Sequence, residues 1–190
     1  MKSHNQQLDL FSHSTLSFIP SSQVPVLTMD TAALAKWKGR IFAHQQRVKE
    51  TQPVEQTSLF SVYEAHIDPD AVDPFSLPLS SMSFYRLPAD SPGQACLYFI
   101  IDTVAELLLY VGETCKSNKR WKGTHDCKRY VEKYIDLHYR YELNTAVNIC
   151  FWWDAPVETR PRQNLELALI QKWKPPFNKE NWQHWGQPFG

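Results

Sequence analysis

Cys96-Leu97-Tyr98-Phe99-Ile100-Ile101, then Asp102 to Glu106, then Leu107-Leu108-Leu109-Tyr110-Val111-Gly112 is the stretch that decides the fold of this chain. Both flanking runs have the length and the aromatic and branched content of buried strands. The five residues between them span a hairpin distance. A hairpin symmetric about Val104 sets Tyr98 opposite Tyr110 and turns even-numbered residues to one face, so two phenols become cross-strand neighbours. An aromatic pair that simply packs is the plainer account of the same spacing.

Downstream, the run Glu166 to Asn178 reads as a helix followed by a turn. Glu166, Leu169, Ile170 and Trp173 share one face at helical spacing. Pro161 suits a first turn, and Pro175 with Pro176 closes the helix. Glu166 therefore lies on or beside the buried stripe, where an unpaired charge is costly. A surface pair with Arg162, four residues earlier, is the modest alternative, worth roughly 0.2–0.5 kcal/mol.

Taken in order, these residues resemble the GIY-YIG nuclease domain. The matching stretches are Cys96-Leu97-Tyr98, Tyr110-Val111-Gly112, Lys119-Arg120-Trp121, Glu166 and Asn178, and they cover roughly residues 84–190. The resemblance implies a first strand and a second strand that each carry a tyrosine, an arginine opening the next helix, a glutamate on a later helix and a downstream asparagine. Cys96 stands where the family has its first glycine, a departure in backbone packing rather than in chemistry. His125 lies five residues after Arg120, one more than the family spacing, and is read as a helper.

The chemistry follows from the residue types. Phosphodiester cleavage needs an activated water, counter-charge for the phosphorane oxygens and help for the leaving alkoxide. Mg²⁺ (or Mn²⁺) supplies much of this from oxygen ligands while keeping several waters. Glu166 is the candidate metal ligand. Arg120 offers a permanently charged fork to the phosphate, Tyr98 is the candidate base, and Tyr110 orients water or phosphate. Gly112, Lys119, Lys122, His125 and Asn178 complete the expected substrate contacts. For Asn178, a local turn hydrogen bond is the plainer reading.

A formal net charge of zero over 190 residues argues against indiscriminate coating of nucleic acid. Charge is uneven, however. Eight basic residues between Lys116 and Glu142 face four acids, a net +4 placed where a phosphate backbone would lie. A solvated helix face is the alternative. The four cysteines show no Cys-x-x-Cys spacing and read as small core residues of a reducing cytosol. The polar N-terminus and the lack of a membrane-length apolar run point to a cytoplasmic protein with no membrane partner.

The expected class is α/β (α+β): a small three-stranded antiparallel sheet flanked by helices, with an N-terminal tail and a helical appendage. Residues 1–28 form the tail, 29–83 a helix and Pro-rich strap, and 84–190 the nuclease-like domain. Asp30 or Thr31 caps the first helix, whose face carries Leu34, Trp37, Ile41 and Val48. Ala146 to Trp153 is the third strand, and the aromatics from Trp182 to Phe189 fold back on the core. In the tail, Gln7-Leu8-Asp9-Leu10-Phe11 resembles the peptide by which bacterial polymerases and repair proteins dock on the sliding clamp, with Gln56 to Phe60 a fainter echo. The functional expectation is thus a metal-dependent DNA endonuclease recruited to the clamp for repair. A non-catalytic adaptor that keeps the fold and brings DNA to the clamp is the rival, and an RNA-directed nuclease a third reading.

Overall fold

A computed structural model of the chain describes residues 29–51, 67–82, 94–115 and 126–189. The hairpin forms as β2 (Cys96–Asp102) and β3 (Leu107–Thr114), and every residue of β2 is buried. A strand covered on both faces has no reason to alternate, which explains its unbroken apolar run. β4 (Val147–Trp152) lies along the other side of β2. One strand more than expected is present. β1 (Leu79–Ser81) pairs with β4, making a four-stranded antiparallel sheet in the order β1-β4-β2-β3. Its Leu-Ser-Ser carries little strand preference, so partnership with β4 rather than composition makes it extended.

Helices cover both faces. α1 (Thr31–Glu50) starts at Asp30, whose carboxylate accepts from the Ala33 N–H at 2.7 Å, and stops at Thr51. α2 (Asp126–Arg140) and α1 pack on the face that bears Tyr98, Ile100 and Leu109. Phe177 and Phe189 fill the same cluster, so the C-terminal aromatics do return to the core. α3 (Thr159–Trp173) covers the opposite face, where Leu165, Leu169, Ile170 and Trp173 meet Leu97, Phe99, Ile101 and Val111. Lys174, at φ 47°, turns the chain out of the helix before the two prolines, and a short α4 (Trp182–Trp185) follows. Each fully buried Leu, Ile or Phe here stabilises by roughly 1.5–3 kcal/mol.

The helix and strap expected over 29–83 share these cores. Leu34, Trp37 and Ile41 belong to the Tyr98 cluster, and Val72 of the strap to the α3 cluster. Two Asp-Pro steps shape the strap: Asp68 accepts from Asp70 N–H at 2.8 Å and Asp73 from Phe75 N–H at 3.0 Å, each opening a 3-10 turn. Phe75 then packs against Trp173 with ring centroids 5.5 Å apart and planes tilted by 58°.

The hairpin register differs from the symmetric expectation. Tyr98 stands opposite Gly112 and Tyr110 opposite Ile100, so the phenols are diagonal, not directly opposed. The turn pairs Asp102 with Leu107, a register that by itself would send Tyr110 to the far face. A β-bulge between Ile100 and Ile101 leaves Leu109 as an extra residue and restores Tyr110 to the Tyr98 face.

Asp102, fully buried at the hairpin turn, ties four segments together. It accepts from Tyr134 Oη at 2.7 Å, Thr145 Oγ1 at 3.0 Å, and the N–H groups of Val104, Ala105 and Ala146 at 3.0–3.2 Å. Burial alone would raise its carboxyl; the bonds from Tyr134, Ala146, Ala105 and Thr145 hold it below the usual range instead. Lys38 of α1 reaches within 3.8 Å of Asp102 and donates to His138 Nε2 at 2.8 Å. His138, whose Nδ1 lies 2.8 Å from the Tyr134 carbonyl, is pushed down first by burial, and Lys38 adds to this.

A depressed histidine binds its proton more weakly in the folded chain than in the unfolded one, so its contribution is full above about pH 6.5 and lost as pH falls below that. The melting temperature should drop between pH 7.5 and 5, and His138→Gln should flatten that part of the profile. A slope unchanged in the variant would remove His138 as its source.

Candidate active site

The face of the sheet under α2 carries Phe151, Tyr98 and Gly112 in one row across β4, β2 and β3. Gly112 has a steric reason to be glycine. A Cβ there would overlap the end of the Tyr98 ring and lie 2.7 Å from Tyr110 Cε1. Without it, the two phenol rings close over the β3 backbone with centroids 5.9 Å apart, tilted by 31°. Tyr98 is fully buried and Tyr110 half-buried, so the pair meets solvent from the Tyr110 side and not through an open floor at Tyr98.

Burial first, then the Tyr98 phenol, Cys127, a hydrogen bond with Tyr98 and the Glu166 carboxylate all push Tyr110 well above the usual tyrosine range. Tyr110 therefore holds its proton more firmly than a free phenol does.

α3 brings Glu166 to this corner. Its Oε1 accepts from the Glu113 N–H at 3.0 Å, one residue beyond Gly112, and its charge is felt at Tyr110. The acid thus lies at the β3 edge, one residue beyond the glycine that the phenols close over. Arg162 does not spend itself on Glu166. Its Nε donates to Glu113 Oε2 at 2.7 Å and its Nη1 to the carbonyls of Pro156 and Val157 at 2.9 and 2.7 Å. With 1% of its surface exposed, Arg162 is a fixed internal cation that holds the α3 entry against β3. Glu113 and Arg162 escaped sequence reasoning as a pair because nothing local links residues on different elements.

Asn178 sits at the same strand edge. Its Oδ1 accepts from Val111 N–H at 3.0 Å and its Nδ2 donates to Val111 carbonyl at 2.9 Å. At 4% exposure, this side chain acts as a strand mimic that holds β3, rather than as a loop group facing outward. Gln45 of α1 does the same at Leu108, with both bonds at 2.9 Å, and the Phe177 N–H donates to the Leu109 carbonyl at 3.0 Å. A polar residue four positions past Ile41 on the buried stripe of α1 was the sequence signal for Gln45.

Cys96 is buried beside this region, its thiol pushed up to about 12 by burial, so it is a packing group with no nucleophilic character. Arg120, Lys119, Lys122 and His125 lie outside the described residues, as do Gln7, Leu8, Asp9, Leu10 and Phe11. Among the described residues no cluster of three or more His, Cys, Asp or Glu forms a cation cage. One half-exposed carboxylate is nevertheless compatible with Mg²⁺ or Mn²⁺, which takes few protein ligands when substrate phosphate and water complete the shell. No helix among the described residues is long and apolar enough to cross a membrane.

No protein-family model, curated protein or solved structure matches the chain, so the fold and the site stand on their own geometry.

Gly112→Ala forces the rings apart and should cost about 1–3 kcal/mol, as overpacking does. The urea midpoint should fall with an unchanged m value; an unaltered midpoint would show that the rings yield freely.

Proposed function

We propose that this chain is a GIY-YIG-type endonuclease that hydrolyses phosphodiester bonds in DNA with Mg²⁺ or Mn²⁺. The observation that carries the reading is the phenol pair closed over Gly112 with the Glu166 carboxylate held one residue further along β3. Three distant segments contribute these groups. A cation bound at Glu166 supplies Lewis-acid polarisation of the scissile phosphate.

In this scheme the chain's own residues divide the remaining work. Tyr110, held protonated, orients the attacking water or the phosphate. Tyr98, as its phenolate, accepts the proton of the attacking water and becomes the neutral phenol. Arg120 stabilises charge on the phosphorane oxygens. Asn178 and Gln45 keep β3 in place, so that Tyr110 and Gly112 hold their positions to within the tolerance such chemistry needs. The tail peptide from Gln7 to Phe11 would tether the enzyme to the sliding clamp, raising its effective concentration on DNA without a large basic charge. Repair rather than bulk degradation is the setting this favours.

The full burial of Tyr98 is the observation that favours the adaptor, since a base must meet its water. Plasmid nicking separates the two. Supercoiled DNA with Mg²⁺ or Mn²⁺ should be nicked by the wild type, and Glu166→Gln and Tyr98→Phe should each slow nicking by about 10²–10⁴-fold, the range for loss of an acid–base or charge-stabilising group. DNA that is bound but never cut, on duplex, flap or branched substrates, would make the chain an adaptor. Replacing Leu10 and Phe11 by Ala should abolish retention on immobilised clamp.

A further inference from the structure

Trp153 stands just past the end of β4, with 45% of its surface exposed; it is the one tryptophan among the large exposed apolar residues described. Its ring stacks on Phe151 at 5.2 Å between centroids and 21° between planes. An indole covered on one side and that exposed presents its other face to solvent. Phe151, in turn, stands directly opposite Tyr98. Strand spacing then sets the Trp153 backbone roughly 8 Å from that of Tyr98, from about 4.8 Å across the sheet and about 6.7 Å along it.

We infer that Trp153, backed by Phe151, is a stacking platform for an unpaired nucleobase next to the cleaved phosphate, which makes the substrate class DNA with an unpaired nucleotide at the cut. This rests on the nuclease reading for the position of the phosphate. The chemistry of the platform argues for a base and against a phosphate, because the neighbouring exposed Asp154 carries the wrong charge for one. In an intact duplex both faces of each base are already stacked, so an open indole can engage only a base that has left the stack. Every nucleobase offers a π-face, hence the platform selects for DNA structure and not for sequence.

The test uses the full chain carrying Glu166→Gln, so that binding is read without cleavage. The probes are a fully paired duplex and the same duplex with a flap whose first unpaired residue is 2-aminopurine. Binding should quench the probe, and Trp153→Ala should weaken flap binding by about 5- to 150-fold, the span of one lost stack. Affinity for the paired duplex should not change, and Trp153→Phe should retain most of the flap affinity. Equal losses on both substrates, or none on either, would overturn the inference, as would a fall from dimer to monomer in Trp153→Ala with flap binding intact, which would make this face a self-association surface. The two readings fail separately: wild-type nicking without quenching removes the platform alone, whereas Trp153-dependent quenching without any nicking removes the catalysis alone.

Discussion

The outer edge of β3 is the constraint on which the rest of the structure depends. An edge strand presents unpaired N–H and C=O groups that must find partners if they are buried. Here the partners come from four places: Gln45 on α1, the Phe177 backbone, Asn178 after α3, and Glu166 on α3 itself. Each bond satisfies the sheet and at the same time fixes the element that supplies it. The helices are thereby registered against one strand by hydrogen bonds of defined length, beyond what apolar contact alone would specify.

That strand also carries the candidate chemistry. Tyr110 and Gly112 alternate with Val111 and Glu113, so inward ring packing and outward edge sealing are interleaved residue by residue. Glu166 belongs to both roles, since one of its oxygens accepts the last edge N–H while its charge acts on Tyr110. Movement of α3 along β3 would alter the electrostatics of the phenols as well as the packing. At the far end of the hairpin, Asp102 performs a comparable task with five accepted hydrogen bonds, locking the turn to α2 and to the approach to β4. Rigidity at both ends leaves the phenol pair little freedom, which suits a site whose groups must be set in advance.

Much of this was legible in the residues. The unbroken apolar runs at Cys96–Ile101 and Leu107–Gly112 announced β2 and β3, and the helical spacing of Leu169, Ile170 and Trp173 announced the buried side of α3. Asp30 as the cap of α1 and the double proline after α3 set helix ends that the structure keeps to within a residue or two. β1 was not legible because three residues, two of them serine, become a strand only when β4 lies alongside. The hairpin register was off by two: one residue from the turn, which pairs Asp102 with Leu107, and one from the extra residue at Leu109, which has no signature in composition because any of three consecutive leucines could have taken the bulge. Asn178 looked like a group for the site or its turn, and only the approach of Val111 shows how its amide is used.

By itself, the sequence determined the class of fold, the positions of its main strands and helices, and the set of chemically capable side chains. Those follow from periodicity, capping and the cost of placing charge near apolar surface, all of which act over a few residues. Tertiary structure alone decided which face Tyr110 occupies, that Arg162 answers Glu113, and that Glu166 is held at the end of β3. Such pairings join segments some fifty residues apart, and the free energy that selects them arises only when buried backbone groups must be satisfied by whatever the packing brings within reach.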